Sequence, residues 1–266
     1  MTTTTRKPLS KADSMVLAQV FDPESAPTRP EVLVNPDLPA DAHILDKDLL
    51  QELKAREKEA IAMIEEFEKS GQTSVSKIEA YRAAISIMDD LISRHPYYAS
   101  ARNNRAQLRR WRFGDRNLLC QPKACIDRER SAAGLAAVQD LRSSIDLASP
   151  ARPQDGVSPP QGRLLAQATT QLAALYYAAS KDLDTPSPKE LADMDDITWS
   201  KDKFEEESSR LFFLGGLYGN EVAKALAVHT NPHAKLCGSI VKEAMRKELS
   251  AFHGISGLHA RDLPHD

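Results

Sequence analysis

Residues 99–115, ASARNNRAQLRRWRFGD, carry the strongest signal for the fold. The centre of this stretch is a small residue, Ala106, with Arg105 directly before it and Arg109 three residues after it, and Gly114 ends the run. A small side chain on one helix lets a second helix approach closely, while the larger neighbours fill the groove between the two. The stretch therefore predicts one helix of a closely packed antiparallel pair.

The same spacing recurs on both sides of this stretch. Ile64 and Ala173 stand at the position that Ala106 holds in the middle unit, and a second helix follows each of the three. On the second helices, the first two units have a small residue followed four positions later by a large one, Ala84 with Met88 and Ala137 with Leu141. The third unit has Phe204 and Ser208 at these positions. This is the pattern of the tetratricopeptide repeat. We therefore predict an all-α fold, a tetratricopeptide-repeat α-solenoid of three helix pairs with C-terminal capping helices, and no strand.

The spacing between the units is longer than in the ideal repeat. Ala106 lies 42 residues after Ile64, and Ala173 lies 67 residues after Ala106, against 34 in the ideal repeat. The excess falls in polar or proline-rich stretches, which we interpret as loops at 72–78, 115–130 and 149–162. Loops accept extra length at small entropic cost. The alternative is an unrelated helical bundle in which the small residues match by accident.

The chain divides into three predicted regions. Residues 1–45 hold many prolines and are expected to be disordered or extended, with one short helix near 14–21. Residues 46–252 form the repeat domain, and residues 253–266 a flexible tail. Within the domain, the predicted units are 48–97, 98–150 and 163–214, followed by capping helices at 220–252.

Composition excludes several classes of protein. Of the 266 residues, 41% are hydrophobic, which is enough for a packed core, and the formal net charge of -3 argues against a dedicated nucleic-acid binder. No apolar run is long enough to span a membrane. Three cysteines without a signal peptide fit free thiols in a reducing cytoplasm. We expect a cytoplasmic protein whose partners are neither nucleic acids nor membranes.

Two motifs carry a family resemblance. The 99–115 stretch resembles the second repeat of the tetratricopeptide repeat protein 36 family, and residues 231–237, NPHAKLC, resemble that family's Asn-Pro-Tyr-Ala-Ala-Leu-Cys element. The resemblance covers about 15–23 and 58–245, with large insertions. It implies three repeats, a protein-binding role and no catalysis. It also implies binding of Hsp70-type chaperones and a link to tyrosine metabolism.

The first helices of the units offer amide side chains for a ligand. Amide groups are both donors and acceptors, and they suit the backbone of an extended peptide. The predicted peptide-groove residues are Asn103, Asn104, Gln107, Arg110, Gln167 and Gln171. In the alternative interpretation, the chain's own N-terminal segment fills the groove.

The groove lacks a full carboxylate clamp. A clamp needs lysine or arginine on the first and third of these helices, where the sequence has Ile61, Gln167 and Gln171. Glu65 stands where the clamp has asparagine, and it would repel a terminal carboxylate. This argues against an acidic Glu-Glu-Val-Asp-type chaperone tail as the ligand.

One ion pair is predicted inside the second unit. Arg105 points into the helix pair, and a buried arginine needs a charge partner. Asp140, on the second helix of that unit, can face it. We predict an Arg105–Asp140 pair with a structural role. The alternative makes Arg105 a contact to the ligand.

The remaining chemistry-bearing residues do not predict an enzyme. Five arginines between 102 and 112 surround Trp111, but in a net-negative chain they indicate a solvated or partner-facing helix. A metal or thiol site would draw on His229, His233, Cys120, Cys125 and Cys237, which lack the paired spacing of a zinc site.

The sequence thus favours a non-catalytic protein-binding adaptor or scaffold, cochaperone-like, without a cofactor. The expected partner is a protein, either an Hsp70-type chaperone or a metabolic enzyme. The alternative is a structural protein that binds a folded partner while its groove is self-occupied. A metal or thiol enzyme is the third and weakest hypothesis.

Overall fold

The computed structural model describes residues 32–70, 74–152, 155–192 and 199–231, with four further residues at 242–243 and 245–246. Across these ranges the chain is mostly helical, in agreement with the all-α class predicted from the sequence. The helices are α1 Lys47–Ser70, α2 Ser74–Arg94, α3 Ala99–Phe113, α4 Arg128–Ala148, α5 Pro159–Leu183, α6 Lys201–Leu217 and α7 Glu221–Thr230.

Each helix packs on the next one along the chain, and α3 also contacts α5. One apolar cluster joins α1, α2 and α3, and a second runs from α3 to α7. The small residues of the repeated pattern lie inside these contacts, since Ala84, Ala106, Ala137 and Ala173 are all fully buried. The short side chains thus let successive helices approach closely.

Capping residues fix where several helices begin. The side chain of Asn220 caps α7, since it accepts from the backbone N–H of Ala223 at 3.1 Å. Helix α5 begins at Pro159, inside the stretch 149–162 that was predicted to be a loop, because Ser158 and Gln161 form a capping box there. Proline fits the first turn of a helix, where its missing N–H is not needed. The stretch 149–162 is therefore only partly a loop.

The prediction that the chain has no strand is wrong at one place. The loop after α3 and the loop after α5 pair as a short antiparallel ribbon, β1 Cys120–Pro122 with β2 Lys189–Leu191. Asp182 at the end of α5 strengthens this link. Its buried carboxylate accepts from Nε of Arg116 at 2.5 Å and from the backbone N–H of Asn117 at 2.6 Å. The loop after α3 and the loop after α5 are thus packed on each other.

The segment before α1 lies against the start of α5. Val34 forms a parallel bridge with Val157, and the ring of His43 contacts the carbonyl oxygen of Leu147 at 3.1 Å. The predicted helix near 14–21, nearly all of the predicted 232–252 cap and the 253–266 tail lie outside the described residues. Among the helices that are described, none is both long and apolar enough to cross a membrane.

Candidate protein-binding face

Three helices, α1, α3 and α5, are the first helices of the predicted pairs, and they begin at one edge of the molecule. Residues from the start of each, among them Lys54, Ser100 and Leu164, line one small cavity there. At the other end, the Nε1–H group of Trp111 on α3 donates to Glu68 on α1 at 2.8 Å. The three helices therefore run side by side, and their exposed sides form the candidate protein-binding face.

A buried carboxyl group joins α1 to α3. Oε2 of Glu57 accepts from the Tyr98 hydroxyl at 2.6 Å, and Oε1 accepts from the Asn104 side-chain amide at 2.9 Å. Burial raises the pKa of Glu57, although hydrogen bonds from Tyr98, Ser100 and Asn104 act in the opposite direction. Burial, together with the charge of Glu57, also raises the pKa of Tyr98. We call this contact the Glu57 junction.

Amide side chains join α3 to α5. The side-chain amide of Gln171 donates to Oδ1 of Asn103 at 2.9 Å, while its own Oε1 accepts from Nη1 of Arg110 at 3.0 Å. Arg110 also forms a two-bond pair with Asp115, with N–O distances of 2.8 Å. Asn103 is 1% exposed. We call this chain of contacts the amide junction.

These two junctions change the predicted peptide groove. Asn103, Asn104, Arg110 and Gln171 were predicted to meet a ligand, but each bonds a neighbouring helix instead. The reason is the close approach of α1, α3 and α5, which brings polar side chains into contact between the helices. The two groove residues that stay exposed are Gln107 on α3 and Gln167 on α5.

The Arg105–Asp140 contact predicted from the sequence is present in the structure. Nε and Nη2 of Arg105 donate to the two oxygens of Asp140 at 2.8 and 2.7 Å, and Nη1 donates to Asp89 at 2.7 Å. Burial alone would lower the pKa of Arg105, but its bonds with Asp140 raise it. Arg109 donates to the same carboxylate, and Arg102 lies 3.8 Å from it. Asp140 is 3% exposed.

The arginine run therefore does not face solvent or a partner as predicted. Three of its members, Arg102, Arg105 and Arg109, turn inward because Asp140 supplies a buried negative charge between α3 and α4. Arg112 lies over the ring of Phe113, with its guanidinium carbon 5.0 Å from the ring centre. The helix uses its positive charge for internal contacts.

Sequence reasoning missed Glu57, the residue that joins α1 to α3. A signal was present, because Glu57 falls at helical spacing in the buried series Leu50, Leu53, Glu57, Ala60 and Ile64. A carboxylate at a core position of an otherwise apolar stripe requires polar partners from a neighbouring helix. The pattern thus identifies the position, and the partners come only from the structure.

The residues proposed for a metal or thiol site are not brought together in the described ranges. Cys120 is buried in β1, whereas Cys125 is exposed, and His229 is exposed on α7. His233 and Cys237 lie outside the described residues. Over the part of the chain that the structure describes, no group of three or more His, Cys, Asp or Glu residues could hold a metal ion.

Comparison with known proteins finds one curated relative along nearly the whole chain. The L-tyrosine degradation gene cluster protein hmgX of Aspergillus fumigatus is 38% identical over 258 residues, which cover 92% of this chain and 94% of that protein. No family model matches the chain. No solved structure matches it either.

Proposed function

Because this chain belongs to the family of the L-tyrosine degradation gene cluster protein hmgX, we propose that it is a non-catalytic, protein-binding adaptor that serves the breakdown of tyrosine. We assign it to the tetratricopeptide-repeat type and to the cytoplasm. The name of the relative refers to a gene cluster for tyrosine degradation, which is the pathway link that the sequence resemblance implied.

The observation that carries this proposal is the side-by-side packing of α1, α3 and α5. The Glu57 junction and the amide junction hold the three helices against one another without using Gln107 or Gln167. A rigid face with a few exposed amide groups can bind a protein segment, since an amide both donates and accepts hydrogen bonds. The amide contacts of this face give specificity, but affinity for the partner needs an apolar contact as well.

A metabolic enzyme is a better candidate partner for this face than the acidic tail of an Hsp70-type chaperone. Ile61 and Glu65 are exposed on α1, and Glu65 adds a negative charge to the face. Arg110, the one cation among the predicted groove residues, is already paired with Asp115. A negatively charged peptide would therefore find few available cations on the face. We place the tyrosine-degrading enzymes first among the candidate partners.

A matched pair of glutamines tests the proposal. Gln107→Arg places a long cation on the face, and Gln139→Arg makes the same change on the exposed side of α4. The purified chain is presented to each purified tyrosine-degrading enzyme in turn, and binding is measured by biolayer interferometry. The proposal expects at least one enzyme to bind, with about tenfold weaker binding for Gln107→Arg and no change for Gln139→Arg. Lack of binding to every enzyme, or equal effects of both variants, contradicts it.

The alternative function is a structural protein that binds a folded partner while its groove is closed. It is favoured by the two junctions, which already satisfy four of the six predicted groove side chains. Hydrogen exchange of the complex separates the two functions. Protection confined to the middle of α3 and α5 indicates the face, whereas protection of α2, α4 or α6 indicates a different docking surface.

A further inference from the structure

A small cavity lies where α1, α3 and α5 begin, between these helices and the segment 40–42. Its volume of about 80 Å³ is well below that of a typical site for a metabolite, which is about 300–1,000 Å³. It is close in size to one aliphatic side chain. The apolar side chains that line it are Ala40, Ala42, Leu50, Ala99, Leu147, Ala148, Pro160 and Leu164. The cavity therefore suits one apolar side chain of a protein segment.

The polar groups of the cavity do not require a charged occupant. Oδ1 of Asp41 accepts from the backbone N–H groups of His43 and Ile44 at 2.8 and 2.9 Å. The Tyr98 hydroxyl is bonded to Glu57. Lys54 is exposed and can keep its ammonium group in water. Most of the residues that line the cavity are apolar.

Several large apolar side chains are exposed on the segment 33–45, three residues of which, 40–42, line the cavity. Leu33, Val34, Leu38 and Leu45, which belong to the segment that forms its wall, are between 37% and 68% exposed, and Tyr97, beside the start of α3, is 63% exposed. The ring of Tyr97 also contacts His43 of the same segment. Several large apolar side chains exposed in one region mark a surface that binds something.

The sequence that precedes this surface contains an apolar segment of matching chemistry. Residues 15–21, MVLAQVF, carry five large apolar side chains. They are joined by the ten residues 22–31 to residue 32, where the described chain begins. Two positions later, Val34 pairs with Val157, three positions before Pro160 of the cavity. At about 3.1 Å per residue, this proline-containing linker reaches about 30 Å. That is enough to return the segment to the cavity.

We propose that residues 15–21 dock in cis on this apolar surface, with one of their aliphatic side chains in the cavity. A tether of this length gives an effective concentration of about 1 mM, so even an intrinsic Kd near 0.1 mM yields about 90% occupancy. The segment then covers the edge at which the protein-binding face begins. The inference does not depend on the proposed function, because docking in cis needs no other protein.

Hydrogen exchange of the full chain tests this directly. Leu17→Glu puts a charge into the docking segment, and Thr28→Glu puts the same charge into the linker. Both positions lie outside the helices that form the core, so the rest of the fold is left intact. The backbone amides of 40–42 and 161–164 should exchange about tenfold faster in Leu17→Glu than in the wild type or in Thr28→Glu.

A peptide provides the second measurement. A fluorescent peptide of residues 13–23 should bind the Leu17→Glu chain at least fivefold more tightly than the wild type, whose surface is already occupied. Equal exchange in all three proteins, or equal binding of the peptide to wild type and variant, overturns the proposal. It is also overturned if protection rises between 1 and 50 µM protein, because the segment would then dock on a second copy of the chain.

Discussion

The hydroxyl of Tyr98 donates a hydrogen bond of 2.6 Å to Oε2 of Glu57, 41 residues earlier in the chain, and both side chains are buried. This contact ties the middle of α1 to the residue that precedes α3. It also holds a carboxyl group in an environment where burial raises its pKa above the ordinary value of 4.5. The packing of α1 against α3 therefore depends on the protonation state of the Glu57 carboxyl group.

Glu57→Gln should remove a pH dependence of stability. Because the folded pKa is raised, the folded chain keeps its proton at pH values where the unfolded chain has lost it. The contribution of Glu57 is thus largest below pH 4.5 and is lost as pH rises through the folded pKa. Glutamine keeps an oxygen for Asn104 and cannot ionise. Urea unfolding from pH 4.5 to 7.5 should show wild-type stability falling relative to Glu57→Gln.

The control for this measurement is Glu66→Gln, which changes an exposed carboxylate on the same helix. Its difference from the wild type should stay flat over the same pH range. If Glu57→Gln and Glu66→Gln give the same pH profile, the Glu57 junction does not influence stability through its proton.

Asp140→Ala should be strongly destabilising. Its carboxylate bonds Arg105 twice and Arg109 once between α3 and α4, so its removal leaves two largely buried guanidinium groups without the carboxylate that they share. Breaking a buried pair from one side costs about 3–5 kcal/mol. Asp89→Ala removes another partner of Arg105 but one that is 55% exposed, and such a pair contributes about 0–1 kcal/mol. Equal losses of unfolding free energy in urea would show that burial of Asp140 is not decisive.

The helices could be predicted from the sequence because their signals are local. The spacing of small residues predicted three helix pairs in an all-α chain, and the structure is mostly helical. The start of α5 was missed although its signal is also local. Ser158 and Gln161 are spaced as a capping box, and the prolines between them fit a first turn. The high proline content of 149–162 predicted a loop, because the position of two prolines directly after the Ser158 N-cap was not considered.

The junctions could not be predicted because they depend on register between helices. Asn103, Asn104 and Gln107 are all polar residues of α3, yet the first two bond neighbouring helices and only the third is exposed. The axial positions of α1 and α5 relative to α3 determine whether an amide side chain contacts a neighbouring helix or solvent. The ribbon of β1 and β2 has the same origin, since its strands are three residues each and come from distant loops.

Gly134→Ala should test how closely the loop after α3 packs on α4. A Cβ atom at this position would lie 2.5 Å from the carbonyl oxygen of Leu118, which is backbone and cannot rotate away. Forcing such a shift costs about 1–3 kcal/mol. Gly162→Ala is the matched control in α5, where the nearest atom, on Val157, would be 3.5 Å away. It should be neutral or stabilise by up to about 1 kcal/mol, and thermal melting compares the two.

Cys120 and Cys125 should differ sharply in reactivity, although they are five residues apart. Burial, together with the nearby Asp182 carboxylate, raises the pKa of the Cys120 thiol to about 11, so about one molecule in a thousand carries the reactive thiolate at pH 8. Cys125 is exposed. Iodoacetamide labelling followed by peptide mass spectrometry should modify Cys125 at least about a hundredfold faster than Cys120. In 8 M urea the two rates should converge, because the difference comes from the fold; comparable rates in the folded chain would contradict the buried position of β1.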